Sequence, residues 1–262
     1  MSARTILILP VYNESITILD VLAQSDPFVD QILVIDDGSR DSTRQLLANY
    51  AASHPKLFFV SHRTNRGVSG ALLTGFLILQ EGVQAGRINP LDIVITMDSD
   101  GQHDASDIPA LTAPIRDESA DLVIGERTFD MYPWFKKLGN WGLSRWASAW
   151  AGTPYRDAEC GFRAMTMRVV MDILLFFNPT QYGFAQEMSV ITARRGWRVQ
   201  NDVPIHILRY RSGAKIKHGF NNAWSAVRAW HRVTYNRVVA HRGGWPEQIM
   251  PYDEATHVQH YR

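Results

Sequence analysis

With 262 residues, 45% of them hydrophobic, and a formal charge of +1, the chain has enough apolar material for a sizeable core and no global basicity that would suit nucleic acid. Its single cysteine, Cys160, rules out an intrachain disulfide and fits a reducing compartment, so a cytoplasmic location is expected. No apolar run approaches the roughly 18 residues needed to span a bilayer, and the first residues do not read as a secretory leader, so the chain is expected to be soluble or peripheral.

The first hundred residues repeat one pattern, an apolar run of strand length that stops at a polar turn. Thr5–Leu9 opens into Pro10-Val-Tyr-Asn-Glu14, and Gln31–Ile35 into Asp36-Asp37-Gly38-Ser39-Arg40-Asp41. Leu57–Val60 leads to Asn65-Arg66-Gly67, and Ile93–Met97 to Asp98-Ser-Asp100-Gly-Gln102-His103. Helix-like stretches lie between them, roughly Ser15–Gln24, Ser42–Ser53 and Val68–Glu81, with Asp41 and Ser42 as capping candidates. Alternating strands and helices predict an α/β fold, a mostly parallel sheet flanked by helices, in which ligands bind beyond the carboxyl ends of the strands. Every polar turn just named falls on that side.

Asp98 and Asp100 are the most informative pair. Side chains at i and i+2 of an extended segment point the same way, so both carboxylates are expected to face one hard cation. Mg²⁺ or Mn²⁺ held by one or two carboxylates keeps positions open for phosphate oxygens. An acidic pair at a strand end also arises in solvated turns, so the pair gains weight only from its surroundings.

Six segments in order, PVYNE, IDDGSRDST, NRGVSGALLTGF, MDSDGQH, DAECGFRAM and YGFAQEM, resemble the signature set of family-2 inverting glycosyltransferases of the GT-A fold, closest to the dolichyl- or polyprenyl-phosphate mannose or glucose synthase-like group. The resemblance runs from about Ile6 to Lys215 and implies a nucleotide-sugar donor, a divalent cation, Mg²⁺ or Mn²⁺, and a polyprenyl phosphate acceptor. It places Pro10, Tyr12, Glu14, Ile35 and Asp37 beside the nucleoside, Asp98, Ser99 and Asp100 at the diphosphate, and Gln102 as a further oxygen ligand of the metal. Asp36 is assigned to the turn itself, and His103 to a hydrogen-bonding neighbour of the metal rather than a ligand. The family often carries a lysine near Val68, which this chain lacks. The form Glu159-Cys160 departs from the Thr-Ser version of its motif and leaves mannose against glucose open.

The second half is expected to receive the acceptor. Gly125-Glu-Arg127 ends a predicted strand, Leu122–Ile124, and in the resembling family the arginine there meets phosphate, a role that the planar guanidinium fits. Arg127 and Arg163 are expected to hold the nucleophile, and Arg209 and Lys215, six apart in RYRSGAK, to stabilise the departing nucleoside diphosphate. A phosphate monoester is mostly dianionic at neutral pH and needs no base, whereas a hydroxyl acceptor demands one, for which Asp157 and Glu187 are the candidates. Direct displacement inverts the anomeric centre.

From His206 onward there are nine Lys/Arg against three Asp/Glu, so the carboxyl-terminal part is the basic one. The division expected is a catalytic unit over 1–217 and a basic amphipathic helix and tail over 218–262. Trp134, Leu138 and Trp141 fall near one helical face within Met131–Trp150, and Phe220, Trp224, Val227 and Trp230 form a stripe within His218–Ala240, among Arg228, Arg232 and Arg237. Trp with Lys/Arg is the make-up of helices lying in a bilayer interface, which would make the chain peripheral on the cytoplasmic membrane face. The same stripes can pack on the core or on a twin subunit in a homo-oligomer. Two other functions stay open: a soluble glycosyltransferase with a hydroxyl acceptor, and a nucleotide-sugar-binding module without catalysis.

Overall fold

The runs Ile6-Leu-Ile-Leu9, Ile32-Leu-Val-Ile35 and Ile93-Val-Ile95 are buried along their whole length, as strands covered by helices on both faces must be. The computed structural model describes residues 3–128, 132–178, 183–209 and 216–241. In chain order the elements are β1 (Thr5–Val11), α1 (Ile18–Ser25), β2 (Gln31–Asp36), α2 (Thr43–Ala51), β3 (Leu57–Ser61), α3 (Gly67–Gln84), β4 (Ile93–Thr96), α4 (Ile108–Arg116), β5 (Leu122–Arg127), α5 (Trp134–Ala151), β6 (Arg163–Thr166), α6 (Met167–Leu174), α7 (Phe184–Arg194), β7 (Val199–Ile205) and α8 (Ile216–Thr234).

Among the described residues the strands form one sheet in the order β3-β2-β1-β4-β6-β5-β7. Every pair is parallel except those of β6, which runs against β4 and β5. The chain fills one side of β1 with β2 and β3, then returns to its other side with β4. In such sheets ligands bind at a reversal of this kind, in a crevice beyond the carboxyl ends of the strands. The turns at the carboxyl ends of β1 and β4, Tyr12–Glu14 and Met97–Gln102, lie at that place. The predicted α/β sheet and its first five strands are therefore present, each within a few residues of its predicted bounds.

The helices of the second half differ more. Pro133 stands before the first turn of α5, which starts at Trp134 and ends on Gly152 in the left-handed conformation at φ +76°. The stripe expected to run on to Ala240 stops at Thr234, and Asn236 takes a left-handed φ of +48° just beyond it. The 217/218 division falls inside α8, which packs on α5 and α7 through the buried Ala226 and Ala229. Arg232, expected on the basic face, turns inward instead and donates through Nε to the Phe176 carbonyl at 2.7 Å.

Candidate active site

Two turns meet at the crevice. At the end of β1, Glu14 uses its carbonyl to start α1, accepting from the backbone of Thr17 and Ile18 at 3.0 and 2.9 Å, and its carboxylate accepts from the Thr17 hydroxyl at 3.0 Å. That hydroxyl also donates to the Ser99 carbonyl at 3.0 Å, while Ser99 Oγ donates to the Pro10 carbonyl at 2.8 Å. Ser99 and Pro10, both expected as donor contacts, thus join the two turns to each other. Tyr12 remains an exposed aromatic ring at the edge.

The acids do not sit on a strand. β4 ends at Thr96, so the i, i+2 argument fails and Asp98 and Asp100 lie in the turn after it. They converge nonetheless, because Gly101 takes a left-handed φ of +70° and folds the turn back. Gln102 then donates to Asp100 from its backbone at 3.0 Å and from its side-chain amide at 2.5 Å. Its amide N–H groups therefore orient Asp100, a different task from the metal ligation expected. Burial and the charge of Asp98 push the Asp100 carboxyl above its usual range, against the pull of these bonds. Desolvation works the same way on Asp98, but His103, with Nε2 at 3.5 Å, and the charge of Arg127 outweigh it and leave Asp98 below the usual range. His103 is itself buried.

A strap after β7 closes over this turn. His103 bridges Ile207, Leu208 donates to the Gln102 carbonyl at 2.8 Å, and Arg209 reaches the Asp100 carbonyl at 2.5 Å. The Arg209 guanidinium lies where a side chain at Gly101 would be, so the same glycine serves the fold of the turn and the approach of the cation. Lys215, expected to act with Arg209, lies outside the described residues.

Ile35 and Asp37, expected beside the nucleoside, are both buried. Ile35 is wholly buried in β2 and faces the core. Asp37 is buried too, and its oxygens accept from His62 Nδ1 at 2.7 Å, from the Arg66 backbone at 2.9 and 3.1 Å, and from the Gly67 backbone at 2.7 Å. A carboxylate at a helix start satisfies N–H groups that the helix cannot, and here it fixes the entry to α3. Asp36 accepts from the Ser39 backbone at 3.0 Å, the turn-forming role expected of it.

In the second half, Arg127 grips Asp157 with both arms of its guanidinium, Nε to Oδ2 at 2.6 Å and Nη2 to Oδ1 at 2.8 Å, and Asn140 of α5 donates to the same carboxylate at 3.1 Å. Burial opposes the charge of Asp157, yet Arg127 and Asn140 hold its carboxyl below the usual range, which makes it a poor proton acceptor. Arg163 is 0% exposed. It donates to the carbonyls of Cys160 and Ala158 at 2.8 and 2.6 Å and to the Ser189 hydroxyl at 3.1 Å. Phosphate cannot reach it, so Arg163 shapes the loop from Asp157 to Gly161 instead of holding a nucleophile. Gly161 in that loop lies against Asp98, where an added Cβ would meet Oδ2 at 3.2 Å. Cys160 is buried beside it, and burial pushes its thiol up to about 12.

Glycosyl transferase family 2 matches residues 6–167, well over half of the chain. The chain belongs to that family. It is 32% identical over 226 residues to the undecaprenyl-phosphate mannosyltransferase of Micrococcus luteus, across 80% of this chain and 86% of that one. It is 30% identical over 217 residues to the UDP-N-acetylglucosamine--dolichyl-phosphate N-acetylglucosaminyltransferase of Methanococcus voltae, across 76% and 83%. Among solved structures, glucosyl-3-phosphoglycerate synthase from Mycobacterium tuberculosis, in complex with Mn²⁺, uridine diphosphate and phosphoglyceric acid, matches with a TM-score of 0.63 at 19% identity, over 88% of this chain and 78% of that one. At that identity the likeness is one of fold, the GT-A arrangement. The expected family and enzyme class hold: the protein is a glycosyltransferase.

Glu187 of this glycosyltransferase, the other candidate base, is buried in the first turn of α7. It accepts from the Asn178 backbone at 3.0 Å and pairs with Arg232 at 3.0 Å, tying α7 to α8. Burial pushes its carboxyl up to about 7, against the pull of Arg232. A group whose folded pKa lies above its unfolded value adds stability at low pH, and that contribution is lost as pH rises through the folded value. Between about pH 4.5 and 7 the glycosyltransferase should therefore lose stability by up to about 1.4 kcal/mol per pH unit from this group. Urea midpoints across that range should show the slope in the wild type and a flatter profile in Glu187→Gln; equal slopes would remove Glu187 from the account.

The sequence missed the partners, not the motifs. His62, Asn140, Gln186 and Asn222 each fix a carboxylate from a distant element, and no local pattern announces an amide that acts across the fold.

Proposed function

We propose that this glycosyltransferase moves a hexose from a nucleoside-diphosphate sugar to a polyprenyl phosphate, with inversion and the help of a divalent cation. The observation that carries the acceptor is the state of the two expected bases. Asp157 is held as a poor proton acceptor by Arg127, and Glu187 is wholly buried between the Asn178 backbone and Arg232, where a substrate hydroxyl does not reach it. A hydroxyl nucleophile would want a poised base, but a phosphate dianion does not. The relatives named for undecaprenyl-phosphate and dolichyl-phosphate support the same acceptor. Their sugars differ, N-acetylglucosamine in one and mannose in the other, and the donor is taken as a nucleoside-diphosphate hexose, of the GDP-mannose or UDP-glucose type expected from the sequence.

The residues present fit Mg²⁺ or Mn²⁺. Asp98 and Asp100 are close enough for one charge to raise the other's carboxyl, and the Asp98 side chain is 41% exposed. No group of three or more His, Cys, Asp or Glu is arranged to hold a metal ion among the described residues, so the diphosphate and water would complete the shell. When bound, the cation would neutralise charge on the leaving diphosphate. The chain itself supplies Arg209 at the rim of the acidic turn, and Arg127, 17% exposed, at the acceptor side. Positioning and charge then carry most of the rate.

The reading includes a bilayer. No helix among the described residues is long and apolar enough to cross a membrane. The outer face of α5, however, exposes Trp134 at 75% and Trp141 at 62%, with Phe135 and Leu138 between them and Lys137 and Arg145 alongside. Aromatic rings flanked by cations suit the interface of an anionic membrane, where the acceptor phosphate also lies. Vesicles with anionic lipid should carry the protein on flotation at low salt, release it at about 1 M salt, where screening shortens to about 3 Å, and fail to carry Trp134→Ser/Trp141→Ser. Absence of co-flotation at low salt would remove the bilayer from the proposal.

Nucleotide release tests the whole reading. UDP- and GDP-hexoses offered with short polyprenyl phosphates and Mg²⁺ or Mn²⁺ should give turnover that falls as pH drops below about 6, where the acceptor dianion is lost. Turnover on sugar hydroxyls and none on polyprenyl phosphates would shift the acceptor to the hydroxyl class.

A further inference from the structure

Glu159 is held unlike the other carboxylates of the acceptor half. Gln186 of α7 donates from Nε2 to its Oε1 at 2.6 Å, and Asn222 of α8 donates from Nδ2 to its Oε2 at 2.7 Å. Two amides from separate helices thus fix the carboxylate in one orientation and leave each oxygen a second lone-pair direction. No lysine or arginine nitrogen forms an ion pair with it among the described residues, in contrast to Asp157 and Glu187. Burial pushes its carboxyl above the usual range. A carboxylate partly withdrawn from water without a cation is costly, and such groups cluster at functional positions.

Its place is as telling as its partners. Glu159 precedes Gly161 by two residues, so their Cα atoms lie within about 7 Å, and Gly161 touches the Asp98 carboxylate. Glu159 retains partial exposure. A diphosphate seated at Asp98 and Asp100 would carry its sugar on the outer phosphate, and this loop borders that seat through Gly161. Adjacent hydroxyls of a pyranose present two O–H donors at a spacing that the two oxygens of one carboxylate can accept. We propose that Glu159 reads the transferred sugar, accepting hydrogen bonds from neighbouring ring hydroxyls, with Gln186 and Asn222 as its positioning residues. This rests on the donor reading above.

Paired changes in enzyme and donor separate contact from scaffolding. Wild type, Glu159→Gln and Glu159→Ala would be compared with whichever of UDP-glucose, UDP-N-acetylglucosamine and GDP-mannose is turned over, and with its monodeoxy analogues. Loss of one particular hydroxyl should lower wild-type kcat/KM by about 10–100-fold, the size of a charge-assisted hydrogen bond. Glu159→Ala should lose a similar factor with the parent donor and little more with that analogue. UDP or GDP alone, lacking the sugar, should bind all three proteins equally. Losses that multiply independently would overturn the assignment, as would weakened binding of the free nucleoside diphosphate. So would a Glu159→Gln variant whose turnover falls far beyond that range of about 10–100-fold with the parent donor, which would make the residue a base. Should Glu159→Ala not fold, Glu159→Gln, which keeps the side-chain volume, still gives the comparison. A wild type that turns over no nucleotide sugar would overturn the donor reading, and this inference with it; turnover with independent losses overturns this inference alone.

Discussion

Alanine at Asp98 or at Asp100 should lower turnover by about 10²–10³-fold or more, because each removes an anionic group from the place where a departing diphosphate has to be neutralised. The two variants should differ in detail. Asp98 makes contact with His103 and abuts Gly161, so its loss disturbs the acceptor loop as well. Asp100 is oriented by Gln102 within its own turn, so its loss should leave the remaining structure in place. Steady-state rates with Mg²⁺ or Mn²⁺, and with chelator, are the measurement; full activity of both variants in chelator would sink the metal assignment.

Arg163→Ala should act on stability before it acts on substrate. The side chain is a buried cation whose three partners are two carbonyls and a hydroxyl, and burial lowers its own affinity for the proton. Removing it strands those acceptors and leaves a large void, a change of about 3–5 kcal/mol by analogy with broken buried polar contacts and truncated core side chains. Denaturant unfolding should show the loss, and acceptor KM in whatever folds should move little. A variant of wild-type stability with a raised acceptor KM would restore the phosphate-binding role that the motif suggests.

Arg163 also shows where sequence reading ends. CGFR announces an arginine at a conspicuous place, but an arginine that caps carbonyls and one that grips phosphate look the same in one dimension. The first half was legible because its strands are near-continuous runs of Ile, Leu and Val, buried on both faces and ended by polar turns. β6 is four residues long and includes Arg163 itself, and β7, Val-Gln-Asn-Asp-Val-Pro-Ile, is an edge strand with little apolar content; neither carries that signal. In the site, Asp98, Asp100 and Arg209 were legible as a group, since local turns and a short strap bring them together. The surroundings of Ile35, Asp37 and Ser99 were not legible, because burial and distant hydrogen bonds set them. Asp157 and Glu187 were recognised as acids, but their arginine partners lie 30 and 45 residues away along the chain.

The lone thiol of Cys160 turns the acceptor loop into its own reporter. Thiolate is the form that alkylating reagents attack, and a thiol held near 12 inside the fold offers almost none at pH 8, whereas an unfolded cysteine titrates at about 8.5. Labelling by iodoacetamide would thus proceed only through moments when the loop opens, and its rate would clock that opening without any introduced probe. A surface cysteine added elsewhere could be tagged against a silent background for distance measurements. Any ligand that settles on the loop should slow the clock, so that occupancy can be followed even before a product is known.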